Sequence, residues 1–393
     1  SLRLSPYRIV LLLVVFPAWL RIVSGRSGGY ITSDIMFPLV AMSMVVALAL
    51  HHGLESLETS GIMAIEMVSA YGLARAYVRS LDDYFGAISV LFVSVLILAP
   101  ISLIESLSGF HLIREVSAQL TGNSFVSAIE PRMGLHRAYG PFDHPILYGV
   151  FVASLFSLAW TALRPFSKRP VASMVTILAI LVGAITSVSS GAIATLMAQF
   201  YVFSWMRVTN WLPRRWLTLS LLISLGYIII ELLSNRSAAA VLLSYLTFSP
   251  STAYGRMIIF DWGMRSVWAH PFAGIGLNDW VRPAWMVSGS MDNFWLLHAV
   301  RYGIPSFAMF VVAVAIPLCR RWRGIPEGLG FIRTGWTISV VAVIIAGCTV
   351  HFWNNLVVYF FFQIGMGVFF SNSSGTSELF AEEYEYEYES ESE

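Results

Sequence analysis

The chain has 393 residues, is 57% hydrophobic and only 12% charged, and has a mean hydropathy of +0.71, far from the roughly one-quarter charged profile of a soluble domain. Its formal charge of +1 hides a division: the tail from Glu378 holds 8 of the 23 acidic residues, so 24 basic residues in the body face 15 acids. This composition excludes a soluble enzyme and leaves no stretch for a separate catalytic domain.

Apolar runs of roughly 17 to 22 residues recur along the chain, the length a helix needs to cross about 30 Å of hydrocarbon, so helices are expected and not barrel strands. Candidate spans cover residues 8–23, 35–51, 60–78, 85–104, 145–163, 171–188, 191–207, 216–234, 303–319, 334–350 and 352–370. The fold class expected is all-α: one polytopic membrane domain over 1–370, with about eleven or twelve transmembrane helices and a large, partly helical outer loop. The short basic connections Arg164/Lys168/Arg169, Arg207/Arg214/Arg215 and Arg320/Arg321/Arg323 belong on the cytoplasmic side by the positive-inside rule. Their parity places the two long connections, 105–144 and 235–302, outside. It also places the N-terminus outside although it carries Arg3 and Arg8, which predicts a helix upstream or a re-entrant segment among the first two. Residues 371–393 are polar, alternating and acidic, and are expected to be a disordered tail with an SSGTS lead-in typical of an appended linker.

Of the 24 basic residues only Lys168 is a lysine. Arginine suits phosphate and carboxylate recognition, although codon composition produces the same bias. The outer loops carry arginines against the charge rule: Arg114, Arg132 and Arg137 in the first, and Arg236, Arg256, Arg265, Arg282 and Arg301 in the second. An anionic ligand at the outer surface accounts for them, and so does internal pairing with Glu115, Glu130, Asp261 and Asp279.

In the first loop, Arg137-Ala-Tyr-Gly-Pro-Phe-Asp-His-Pro leads into the span near Ile146. Asp143 or His144 can cap that helix, whereas Arg137 at the boundary has no such structural use. In the second loop, Gly255 to Trp268 reads as an interfacial amphipathic helix. At about 100° per residue, Asp261 and Arg265 form an i, i+4 pair, while Arg256 points away from Arg265 and is freer to meet a ligand. Gly274 and Gly276 allow a tight backbone passage. Asp292 opens a short helix from Asn293 to Tyr302 that Gly303 closes, so Asp292 is either its N-cap or a general base. His144, His270 and His298 are further candidates for proton transfer.

Cys319 and Cys348 lack ligand-like spacing, and no D-x-D, Walker, H-E-x-x-H or G-x-S-x-G motif occurs, so no metal, no cofactor and no nucleic-acid partner are expected. Ionisable residues are scarce at span centres apart from Glu66 and Arg75, which favours chemistry at the outer surface over a polysaccharide or lipid transporter.

Taken in order, RAYGPFDHPILYG, SVSSGA, YGRMIIFDWGM, HPFAGIGLNDW and DNFWLLHAVRYGIPSF resemble the O-antigen ligase and polymerase superfamily, which includes Wzy-type polymerases, WaaL ligases and ExoQ-like exopolysaccharide polymerases. The resemblance covers roughly Arg132 to Phe307. It implies a glycosyltransferase of the bacterial inner membrane, active on the periplasmic face, with an undecaprenyl-pyrophosphate-linked glycan as donor. Membrane lipid, a chain-length regulator and a flippase of the same pathway are its implied partners. The reaction is polymerisation of repeat units or, alternatively, ligase-type transfer to a lipid or other acceptor. Gly255-Arg256 and Arg137 match the family's loop arginines. Asp292-Asn293 stands where ligases carry His-Asn, and Ser189-Ser190-Gly191 where they carry Ser-Arg-Gly. Asp292, Arg256 and Arg137 are therefore the expected catalytic set, with Arg265, Arg301, His144, Asn293, His298 and His270 around the substrate.

Overall fold

A computed structural model describes residues 5–122, 129–163, 170–235, 237–238, 241–242, 250–320 and 327–372. The tail expected to be disordered lies outside them from 373 onward, as do Arg236 and the basic residues Arg164, Lys168, Arg169, Arg321 and Arg323. The apolar spans all become helix: α1 (Pro6–Val23), α2 (Thr32–His52), α3 (Leu57–Tyr77), α4 (Leu81–Ser108), α6 (Pro145–Ala162), α7 (Pro170–Thr186), α8 (Ser190–Val208), α9 (Arg215–Leu233), α11 (Phe294–Cys319), α12 (Glu327–Gly347) and α13 (Asn355–Gly367). The two long connections add α5 (Leu112–Thr121) and α10 (Pro250–Ala269). Among the described residues the only β pairing is an isolated Arg132–Leu135 bridge. Among the described residues seven helical segments are long and apolar enough to cross a membrane, so the protein is an all-α, multi-pass helix bundle.

Two groups of helices share the core. One packs α3 against α1, α2 and α13, with α2 against α11; the other packs α6 against α7, α8 and α12, with α4 against α7. Helix α6 has almost no solvent-facing residue, which explains its apolar character on every side. Polar side chains join the helices where small residues bring backbones close. Gln199 donates to the Ala153 carbonyl at 2.7 Å and accepts from the Ser157 amide at 2.9 Å, and Trp336 donates to the Gln363 carbonyl at 2.8 Å.

Charges inside the spans are paired in two places. Arg75 and Asp34 are both buried, with Nε to Oδ1 at 3.1 Å, and Tyr71 donates to the same carboxylate at 2.6 Å. Arg8 Nε meets Glu66 Oε1 at 2.8 Å, and Tyr7 donates to it at 2.7 Å. Arg8, one of the two N-terminal arginines set against an odd helix count, is thus ion-paired, whereas Arg3 lies outside the described residues. A guanidinium neutralised inside the bundle is not a free positive charge at a membrane surface.

The long connections gather at one end of the bundle. Ala138 N donates to Thr186 O at 3.0 Å, Phe294 N to Val350 O at 3.2 Å, and Leu277 N to His52 Nε2 at 2.8 Å. One break in a helix shapes this end. Gly303 (φ 82°, ψ 172°) interrupts α11, as its expected role in closing the 293–302 helix requires. The Pro271–Gly276 segment wraps the kink: Ile304 N donates to Pro271 O at 2.7 Å and Gly276 N to Arg301 O at 3.0 Å. A Cβ on Gly303 would collide with the Phe272 carbonyl, and one on Gly274 with the Arg301 backbone. Glycine is thus needed here for both dihedral and space.

Candidate active site at the loop end

The first loop is held from both sides. Glu105, buried at the end of α4, accepts from the amides of Tyr139 (3.1 Å) and Gly140 (3.0 Å). His136 N donates to Ser106 O at 3.0 Å, and Ala138 N to the end of α7. These bonds draw Arg137 inward until it is only 5% exposed, and its Nε and Nη2 have no hydrogen-bond partner among the described residues. Burial, then the neighbouring Arg132, lowers its pKa to about 10, the direction expected for a cation removed from water.

Asp143 and His144 divide the work that either might have done. Asp143 accepts from Arg114 at 3.0 Å and from Asn354 Nδ2 at 2.6 Å, and is a structural staple. His144 caps α6, its Nδ1 accepting from Ile146 N at 3.2 Å. That bond assigns the proton of the neutral ring to Nε2, which is left as a donor. Burial and Arg137 lower the His144 pKa to about 4, with Asp292 opposing them.

The second loop contributes α10 and the turn before α11. Arg256 is half-buried, and its Nε is also without a partner. Burial lowers its pKa, while Asp292 supports its charge and Arg132 opposes it. Asn293, not Asp292, is the N-cap of α11: its Oδ1 accepts from Leu296 N at 2.9 Å. Asp292 is therefore released from capping. It accepts from Ser290 Oγ at 2.8 Å and forms no salt bridge among the described residues.

Arg132, Arg137, Arg256, His144 and Asp292 are thus linked electrostatically: His144 feels Arg137, Asp292 and Arg132, Arg256 feels Asp292 and Arg132, and Arg137 feels Arg132. Cations that pay for desolvation without a fixed counter-ion are arranged for a mobile one, and a polyanion such as pyrophosphate matches their forks. Through Trp353, 6.1 Å from the His144 ring, the cluster adjoins a cavity of about 590 Å³ between α2, α3, α11 and α13. The cavity is amphipathic. Met44, Met63 and Met67 are among its apolar lining, and Arg8, Glu58, Glu66, Arg301, His351 and Asn354 supply polar groups.

The nine residues expected at the site divide among three places. Arg137, Arg256, Asp292 and His144 come together, with Asn293 beside them as a cap. Arg301 and His298 line the cavity; His298 is buried, stacked on Phe310 at 4.6 Å and bonded to Ser306 Oγ at 3.0 Å. Arg265 and His270 lie in a separate groove. The expected Arg265–Asp261 pair does not form: both residues are exposed, and the Arg265 guanidinium sits over the Trp262 ring at 4.7 Å. The aromatic ring offers a contact that outcompetes a solvent-screened ion pair.

Sequence reasoning gave no specific role to Arg132 and missed the turn 351–354 altogether. His-Phe-Trp-Asn-Asn was a one-residue break between two spans, yet α13 starts only at Asn355. Three polar residues in that junction were the available signal. His351 lines the cavity with a buried, unpartnered Nδ1, and burial, then Arg301, lowers its pKa to about 4. Asn354, at φ 50°, accepts from Arg8 at 2.9 Å while donating to Asp143. No protein-family model matches the chain, and no curated protein sequence matches it.

Proposed function

We propose that the protein is a membrane glycosyltransferase that joins undecaprenyl-pyrophosphate-linked repeat units of an exopolysaccharide or O-antigen at the periplasmic face of the bacterial inner membrane. The observation that carries this reading is the electrostatic coupling of Arg132, Arg137 and Arg256 with His144 and Asp292 beside an amphipathic cavity, with Arg137 and Arg256 each holding buried guanidinium nitrogen that has no partner among the described residues. In this reading the acceptor hydroxyl oxygen attacks the anomeric carbon of the donor. The bond from that carbon to the phosphate oxygen breaks, and polyprenyl pyrophosphate leaves with the electron pair.

The arginines bind the leaving group and oppose its growing charge, which is where electrostatic stabilisation acts most strongly. Asp292 takes the acceptor proton, since capping is done by Asn293. His144, neutral, donates from Nε2 to a phosphate or sugar oxygen. The methionine lining of the cavity suits a flexible isoprenoid chain.

The test is extension of lipid-linked repeats by the purified protein in detergent. Arg137→Ala and Arg256→Ala are expected to abolish polymer while the protein inserts at normal levels, and wild-type product from both variants would overturn the assignment. A deletion strain should accumulate single lipid-linked repeats. Accumulation of full-length lipid-linked polymer instead would make the reaction a ligase-type transfer, which uses the same leaving group and the same arginines.

A further inference from the structure

Helix α10 has a second concave surface, on the side turned away from Arg256. Trp262, Arg265, Ser266 and Ala269 recur at three- and four-residue steps and so share one stripe, roughly half a turn from Arg256. The neighbouring stripe, including Ile259, Gly263 and Val267, packs on α11. The loop around Trp280 and the end of α2 at His51 close the outward-facing side into a groove of about 450 Å³.

The groove has a distinctive chemistry. Its apolar part is aromatic, from Trp262 and Trp280. Trp280 is fixed, buried with its Nε1 donating to Gly289 O at 3.0 Å. Its polar part is planar: the Asp279 carboxylate, the Asn278 amide, the Arg265 guanidinium and the His270 ring. Asp279 is oriented by Arg282, which bonds to it directly, and this partner also lowers its pKa. Asn278 is held by a bond to Ile275 O at 3.0 Å.

Each alternative ligand class meets an obstacle. A phosphate or nucleic acid would face the ionised Asp279, and a hydrocarbon would strip water from four polar side chains without replacing their hydrogen bonds. A sugar ring satisfies both halves, laying its C–H face on an indole and its hydroxyls against paired donors and acceptors. We propose that this groove is a glycan-binding subsite, separate from the anion site, that holds the polymer some sugar units away from the reacting carbon.

The separation follows from the helix. Arg256 and Arg265 are nine residues apart, about 13 Å along the axis at 1.5 Å per residue, and point in opposite directions. A chain lying in the groove therefore does not cover the arginines, and it stays bound while a new donor enters. Retention between additions rests on the polymerase reading; sugar binding in the groove does not.

The probe is the producing cell's own envelope polysaccharide, cut by mild acid into short fragments, with binding to the full detergent-purified chain measured by calorimetry and saturation-transfer NMR. Wild type and Arg256→Ala are expected to bind the fragments equally. Trp262→Ala and Asp279→Asn should bind about tenfold or more weakly, with Trp262→Phe intermediate and inorganic pyrophosphate binding unchanged in all three. Absence of fragment binding by wild type overturns the proposal, as does full binding by Trp262→Ala and Asp279→Asn, or equal loss in Arg256→Ala. In the extension assay, Trp262→Ala should make the first addition at the wild-type rate and release shorter chains. Failure of wild type to make any addition counts against the polymerase reading, whereas wild-type chain lengths from Trp262→Ala count against the groove alone.

Discussion

Replacing Arg137 by methionine should stabilise the protein while removing its affinity for pyrophosphate. The side chain is 5% exposed and two of its nitrogens have no partner among the described residues. A buried polar group left unpaired costs about 1–3 kcal/mol, and more when charged. Methionine keeps most of the volume and the flexibility without that cost, so Arg137→Met should gain on the order of 1–3 kcal/mol. For a large domain about 1 kcal/mol moves the melting midpoint by roughly 2–4 °C, so a rise of several degrees is expected by thermal scanning in detergent. Inorganic pyrophosphate should raise the wild-type midpoint, since a ligand at about 100 times its Kd adds about 2.7 kcal/mol, and should leave Arg137→Met unmoved. A variant that melts several degrees below wild type, or that keeps the full pyrophosphate shift, would refute the reasoning. The first result would mean that the protein itself already satisfies the guanidinium, and the second that pyrophosphate binds without it.

Asn293→Ala should lose about 1 kcal/mol, the usual worth of an N-cap, and melt a few degrees lower while keeping pyrophosphate binding. Asp292→Asn should melt like wild type and lose extension activity, and the reverse pattern would restore Asp292 as the cap. His144 stays neutral to about pH 4 in the fold against 6.5 for a free histidine, so the unfolded chain binds a proton there that the native chain refuses. Its contribution to stability is therefore complete above about pH 6.5 and is lost as pH falls toward 4; His144→Gln should flatten the melting curve over that window, and an unchanged slope would count against its burial. Gly303→Ala, which places a Cβ against the Phe272 carbonyl at positive φ, should abolish stable expression, whereas Gly226→Ala in open surroundings on α9 should express normally.

The helices were legible because a bilayer imposes a length: an apolar run long enough to span has little choice but helix. The charge anomaly was legible for the same reason, since Arg137 and Arg256 stand out against so apolar a chain. Helix boundaries at the loop end were less so. α11 begins at Phe294 and α13 at Asn355, because the Asn293 cap, the positive-φ turn at Asn354 and the Gly303 kink, not hydropathy, set where those helices start and bend. His144 interacts electrostatically with both Arg137 and Asp292, from segments more than 140 residues apart, and no local pattern encodes that. The helical wheel did separate Arg256 from Arg265, and the structure sends Arg265 to a different surface. Asp34 and Glu105 escaped notice because each lies near an end of its span, where a charge looks solvated, and the partners that bury them are distant in sequence or backbone amides.

The pattern of satisfied and unsatisfied charge bears on whether the protein acts at a surface or moves a solute through the bundle. Among the described residues, the buried carboxylate and guanidinium side chains are Asp34, Glu66, Arg75, Glu105 and Arg137. Asp34 is bonded to Arg75 and Tyr71, Glu66 to Arg8 and Tyr7, and Glu105 to two backbone amides. Each of these joins elements distant in sequence, as expected when an intramembrane charge anchors helices. An alternating-access carrier instead needs ionisable groups near the midplane that exchange partners as the bundle rocks. Arg137 alone among the five is buried without a protein partner, and it lies at the loop end beside half-buried Arg132 and Arg256. Burial and unspent charge therefore coincide at the loop end and not along the span centres, which favours the proposed surface chemistry over translocation.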